Sequence, residues 1–510
     1  MSNPQSPVGT FCLVLHTHLP WLAHHGSWPV GEEWLHQAWA MSYDPVVTVL
    51  DELADAGQQD LLTLGVTPIV AAQLDDPYCL DLQQIWLADR HWRAVGMTAE
   101  PDPMRRELGG WEAEQSLRAQ ESFENRWCHG GSPVLRDLAD RGAIELLGGP
   151  LAHPFQPLLD EDLVAYELQA GREDSLLRYG QRPRGIWAPE CGYRPGLEDF
   201  YQQAGIGHFL LDGPTLQHVG APTSAGTLIG DSDVVGFGRD LEVSYRVWSP
   251  RRGYPGGKWY RDFHTYDHDW GFRHSRVTST STAPEDKAPY DPNRALAAAE
   301  ADARDFVDVV RRRLTDIAGE QGHPGLVVAA YDTELFGHWW HEGPHWLRRV
   351  LQLLPEAGVQ VTTLSGAVDA GLVTGRTQPE SGSWGAGKDW HIWDGEAVHS
   401  MVADNTTAQD RVLRLLKSLP REQRSPVADQ LLRNLVLALQ SDWAFMISHE
   451  SAAGYAADRH RAHHAHVSQL AELVERTGWD SAAAIAAAAD HRQFDGPFGH
   501  IDARAIGYGH

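Results

Sequence analysis

Short apolar runs bounded by glycine, proline or polar residues recur through the first 365 residues. Such runs are the mark of buried strands. Seven are predicted: Phe11–Leu15, Leu61–Val66, Ala143–Leu147, Gly185–Ala188, His208–Leu211, Leu326–Ala330 and Val359–Thr363. Helical periodicity separates several of them, as in Asp44–Ala56 before the second and Arg294–Ile317 before the sixth. Strands alternating with helices imply a parallel sheet with right-handed crossovers. Seven strands are too few for an eight-stranded barrel, which leaves a distorted seven-stranded barrel or an open sheet.

Two stretches break the alternation. Residues 213–270 are rich in glycine, proline and aromatics, with few helix signals, and residues 276–292 form a Ser/Thr/Pro loop. A small inserted domain or lid is placed at 191–245, between barrel segments 1–190 and 246–375. Beyond residue 375 the pattern turns helical, with amphipathic stretches at Thr407–Leu419, Val427–Leu439 and Tyr455–Thr477, and an alanine-rich one at Ser481–Asp490. A helical C-terminal domain is therefore assigned to 376–510.

Composition narrows the function. Of 510 residues, 42% are apolar and 22% charged, which is ordinary for a packed protein. The net charge of −27 repels phosphate backbones and anionic lipid, so neither nucleic acid nor membrane is an expected partner. Twenty tryptophans offer flat apolar faces on which sugar rings stack. Four scattered cysteines, with no CxxC pair, argue against a disulfide scaffold. The polar Met1–Thr10 stretch reads as neither signal peptide nor span, so a cytoplasmic enzyme is expected.

The chemistry collects behind the strands. The first is followed by His16-Thr17-His18-Leu19-Pro20, the third by Gly148-Gly149-Pro150 and His153, the fourth by Pro189-Glu190-Cys191-Gly192-Tyr193, and the sixth by Tyr331-Asp332-Thr333-Glu334. Reactive groups in parallel barrels project from these strand ends. Glu190 and Asp332 stand out, because paired carboxyls on rigid elements are what cleavage of a glycosidic bond needs. The His16/His18 spacing fits a metal site, hydroxyl binding or a structural role. Trp384, Trp390 and Trp393 fit either core packing or a stacking platform. His24-His25 are read as a solvated loop, and His460, His463, His464 and His466 as a solvated helix face. The absence of GxxxxGK[ST], of a strand-linked GxGxxG and of GxSxG removes phosphate-cradle, dinucleotide and serine-hydrolase readings.

At these residues the chain resembles glycoside hydrolase family 57, and within it the actinobacterial-type group that branches α-1,4-glucans. The likeness is carried by His16–Pro20, by Gly148-Gly149-Pro150 with His153, by Trp187–Tyr193, by Tyr331–Trp340 and by Leu439–Ile447. It implies a distorted (β/α)7 barrel with a small inserted domain and a helical C-terminal domain that contributes to the glucan groove. It implies a retaining reaction without metal or cofactor, on an α-1,4-glucan partner. Glu190 would be the nucleophile and Asp332 the acid/base, with carboxyls about 5–5.5 Å apart. His16, His18, His153, Trp270, Trp384, Trp393 and Asp442 would bind substrate. In this family a loop tyrosine commonly shields the intermediate from water. The corresponding stretch here, Gly213–Gly238, has no tyrosine, which favours an α-amylase or 4-α-glucanotransferase as the alternative. Oligomeric state is not legible, and a monomer is compatible with everything above.

Overall fold

The computed structural model describes residues 7–28, 30–249, 253–279, 281–420 and 422–506. Residues 1–6 of the polar N-terminal stretch lie outside them. The strands are β1 (Gly9–Thr17), β2 (Leu62–Val66), β3 (Ile144–Leu147), β4 (Gly185–Ile186), β5 (His208–Leu211), β6 (Gly226–Ile229), β7 (Val235–Gly238), β8 (Leu326–Asp332), β9 (Val359–Val361) and β10 (Val373–Thr377). Parallel pairing runs from β8 through β1 and β2 to β3. A bridge between Gly148 and Ile186 then carries it to β4, β5 and β7. The Asp240 backbone N–H, just past β7, donates to the Val328 carbonyl of β8 at 2.8 Å and closes the ring.

The barrel therefore has seven parallel strands, but the seventh is not the expected one. Val359–Val361 pairs only with the start of β1, at Gly9–Phe11. The barrel position is taken by β7, Val-Gly-Phe-Gly, whose two glycines hide it from an apolar-run reading. Both are needed. A Cβ on Gly236 would stand 2.8 Å from Ile229, and one on Gly238 2.8 Å from Leu216 and Thr223.

Strand alternation divides the core. Cys12, Val14, Val328 and Ala330 point inward with Trp187, Leu210 and Phe237. Phe11, Leu13, Leu15, Val327 and Ala329 point outward against the helices. The same parity aims His16 and Asp332, paired in register, into the barrel mouth.

The domain boundary at 191–245 also moves, since that stretch carries β5 and β7. The excursion from the barrel is instead made of 77–122, 253–279 and 281–291. Asp76 and Asp102 cap two long helices, Pro77–Met97 and Pro103–Ser122, each with proline in the first turn. The 253–279 loop is bound to them by an Arg105–Asp267 ion pair and by Trp270, whose indole N–H donates to Glu100 at 2.6 Å.

The C-terminal region is helical, as expected. Its helix Pro426–Ala438 is buried along Val427–Ala438. It is surrounded by Ala453–Thr477, Ala482–Arg492 and His399–Lys417. The reading of a solvated histidine face is corrected here. His463 is fully buried and His460 nearly so. Asp495, itself buried, accepts from His25 Nε2 at 2.7 Å and His466 Nδ1 at 3.1 Å, with His463 Nδ1 at 3.4 Å. The imidazole contacts hold its carboxyl far below the ordinary range. His25 is thus an anchor between barrel and C-terminal domain rather than a solvated residue. Replacing Asp495 with Ala strands these imidazoles and is expected to cost about 3 kcal/mol, read by chemical denaturation at pH 7. A loss under about 0.5 kcal/mol would count against the anchor. All four cysteines are free thiols, and Cys12, Cys79 and Cys191 are buried. Among the described residues no helix is long and apolar enough to cross a membrane.

Candidate active site

Glu190 sits in a tight 3-10 turn, Pro189–Cys191, directly after β4. Its φ of 60° and that of 48° at Cys191 lie in the left-handed region, as does that of 60° at His153. Such backbone costs about 1 kcal/mol or more per non-glycine residue and persists only where surroundings enforce it. Here the enforcement is visible. Glu190 Oε1 accepts from Ser441 Oγ at 2.8 Å, Oε2 accepts from the Trp384 indole N–H at 2.9 Å, and the Glu190 carbonyl accepts from the Trp384 backbone N–H at 2.9 Å. Burial raises the Glu190 pKa, and these two side-chain donors oppose the rise.

Asp332 ends β8. Among the described residues its carboxyl makes no hydrogen bond. Burial, then the charge of Glu190, push its pKa up to about 7. One carboxyl is thus held by two donors, while the other is unbound and protonated near neutrality. That asymmetry suits a nucleophile and a proton donor.

The histidines form one stack. His16 lies on Trp187 with centroids 4.3 Å apart, and its Nε2 is 3.1 Å from His153 Nε2. The rings of His18 and His153 are 3.6 Å apart. Burial lowers the pKa of both His16 and His153, leaving neutral rings able to bond to hydroxyls. His18 Nε2 is 3.0 Å from Asp442 and its Nδ1 is 3.0 Å from Thr67 Oγ1. His18, His153 and Asp442 could offer three metal-ligand atoms within 4.8 Å of one another. Within the trio His18 bonds Asp442, and outside it His153 Nδ1 pairs with Ser441 Oγ and His18 Nδ1 with Thr67 Oγ1.

The other expected binders separate. Trp384 meets the site, wedged between Trp187, at 5.0 Å and near-perpendicular, and the Arg239 guanidinium, 5.3 Å over its ring. Trp393 is buried and stacks on Phe155 at 4.7 Å, with Trp390 edge-on to the same ring, so both pack the core. Trp270 lies against Gly96 and donates to Glu100 of the excursion.

Three residues emerge only in the structure. Ser441 bonds Glu190 and His153, although it stood unremarked beside Asp442 in the sequence. Arg239 is buried, ion-paired to Asp212 at 2.9 Å, and its charge opposes the rise of Asp332. Glu334 is pushed up to about 8 by burial and accepts from Tyr43 OH at 2.5 Å and from the His18 backbone N–H at 3.2 Å. Replacing Trp384 with Phe keeps the wedge and removes the donor to Glu190. The expected result is a kcat loss of about 10- to 100-fold with the acid limb of the pH profile moved upward, checked by pH-dependent kinetics.

Comparison with known proteins places this barrel in a class. Residues 12–380 match the model of glycosyl hydrolase family 57, and the chain belongs to that family. Residues 405–505 match a second model, described as 1,4-alpha-glucan branching enzyme, C-terminal. A relative in Mycobacterium tuberculosis, described as a "probable 1,4-alpha-glucan branching enzyme", is 49% identical over 99% of this chain and 100% of its own length. The 1,4-alpha-glucan branching enzyme of Thermococcus kodakarensis is 33% identical over 91% of this chain and 74% of its own length. Its crystal structure superposes with a TM-score of 0.91, covering 98% of this chain and 96% of that one. The α-amylase AmyC of Thermotoga maritima superposes with a TM-score of 0.86 at 25% identity, covering 98% and 99%.

Proposed function

We propose that this chain is a 1,4-α-glucan branching enzyme working by retaining double displacement. Glu190 attacks the anomeric carbon of an α-1,4-glucan and Asp332 protonates the departing glycosidic oxygen. A covalent glycosyl–Glu190 intermediate results. Asp332, now ionised, takes the proton of an acceptor 6-hydroxyl, which attacks the anomeric carbon, releases Glu190 and leaves an α-1,6 branch. His16, His18, His153 and Asp442 hold hydroxyls of the reacting sugar. The observation that carries this reading is the contrast between a doubly hydrogen-bonded Glu190 and an unbound Asp332 with a pKa near 7. The branching-enzyme relatives and the C-terminal match support the transfer step.

Linkage analysis of amylose incubated with the protein tests it. New α-1,6 linkages without a matching rise in reducing ends are expected. Reducing ends in step with lost iodine staining, and no new branches, would instead make it an amylase. That second reading draws on Gly213–Gly238, which has no tyrosine and contains β6 and β7.

A further inference from the structure

A second cavity lies away from the acids. A groove of about 990 Å³ runs between the helices Asp44–Asp55, Pro103–Ser122 and Gly343–Glu356, roofed by the 261–273 loop and by 337–341. None of Glu190, Asp332, His16, His18, His153, Trp384 or Asp442 lines it.

Six arginines and six carboxylates line it, a balance that the acidic chain as a whole does not have. Arg90, Arg261 and Arg273 converge on it, and the first two share a single carboxylate, Glu112. Most other carboxyls of the groove are held by neighbours, Glu52 by Arg348, Glu114 by Arg118 and Asp44 by Ser122 and the Trp127 indole, while Glu121 lies at its exposed edge. Asp262 pairs with Lys287 at 2.5 Å, and Glu342 accepts from Tyr290 OH and the Arg261 backbone N–H. Arg273 is left over. Its Nε donates to the Phe263 carbonyl at 2.7 Å and its guanidinium lies 4.3 Å over the Phe263 ring. It has no carboxylate partner among the described residues. Burial and the charges of Arg261 and Arg90 lower its pKa to about 10. Asp262, already paired with Lys287, offsets this only in part, and a half-buried cation without a direct partner calls for a counter-anion. Beside it His338 is 7% exposed, with an Nδ1 that has no hydrogen-bond partner. The charge of Arg273 and burial keep that ring neutral, so it can donate without adding charge. At the same end Trp339 is 43% exposed, with its ring 4.5 Å from Phe263.

We infer that this groove binds a sugar phosphate, with the phosphate on the free fork of Arg273 beside His338 and the sugar ring on Trp339. A guanidinium fork matches phosphate oxygens in pairs, and an exposed indole covers the apolar face of a pyranose. The same cluster discriminates against neutral sugars, which leave the cation unpaired.

Calorimetric titration of the full chain with glucose 6-phosphate, inorganic phosphate and glucose tests this. Glucose 6-phosphate should bind at least about 10-fold more tightly than either of the others. Arg273→Gln should weaken it about 10-fold or more, and Trp339→Ala about 3- to 10-fold. Trp339 is at the surface, so that variant remains informative if Arg273→Gln does not fold, which thermal melting would show. Three results would overturn the proposal: no heat from glucose 6-phosphate up to about 10 mM, equal binding of inorganic phosphate, or affinity unchanged in folded variants. The glucan chemistry of the Glu190 site stands or falls separately.

Discussion

Glu190→Gln is expected to lower branch formation from amylose by about 10⁴-fold or more, which is about 5.5 kcal/mol of transition-state stabilisation. An amide cannot form the glycosyl ester, so the first displacement has no route. The protein should still fold. The amide oxygen keeps one of the two donors at this position, Ser441 or Trp384. Burial of the charged form, which raises the Glu190 pKa, is relieved in the variant. Glucosyl fluoride, whose leaving group needs no proton, should be turned over no better by this variant. Residual branching within about tenfold of wild type would remove Glu190 from the nucleophile's role.

Asp332→Asn should cost about 10³- to 10⁴-fold on amylose, at the upper range for a lost general acid. Its signature differs. Glucosyl fluoride should form the intermediate nearly as fast as with the wild type, because only natural substrates need the proton. The wild-type pH profile carries the same information. In the proposed role Asp332 must be protonated to act first, and its pKa is raised to about 7. Ionisation therefore removes the acid as pH rises through about 7, and kcat/KM falls on that side. Stability follows the same sign. The native state holds this proton to a higher pH than the unfolded chain, whose aspartate titrates near about 3.9. Stability from this group is full below that value and is lost as pH rises towards 7. The Asn variant escapes the loss, so its Tm at pH 8 should exceed wild type by about 2 °C. An alkaline limb unmoved by the substitution would assign it to another group, with Glu334 next in line.

Where the sequence was legible, period and position carried the reading. Buried strands stand out as apolar runs, and the acids follow them because barrel chemistry collects at strand ends. Glu190, Asp332 and the histidines could be named for that reason. β7 was hidden because close packing there demands glycine at alternate positions, which erases the apolar run. The excursion was misplaced because the helices at Pro77–Met97 and Pro103–Ser122 have no clean apolar stripe. Their clearest signals were local, the Asp-Pro pairs at 76–77 and 102–103. Trp393 shows the limit of residue type. An indole in a glycine-rich segment looks the same whether it faces a glucan or a phenylalanine. Ser441 was illegible for a different reason, since its partner lies 251 residues away and no local pattern encodes that distance.

The donors that hold Glu190 come from Trp384 and Ser441, both downstream of the last barrel strand. A ribosome that has released β1 to β9 has therefore made a barrel whose Glu190 lacks both of these donors. The two donors arrive only as the remaining chain emerges and docks. On the proposed mechanism, a chain still in synthesis should therefore lack the support that cleavage needs. A truncation upstream of residue 384 should leave a protein without even slow cleavage activity.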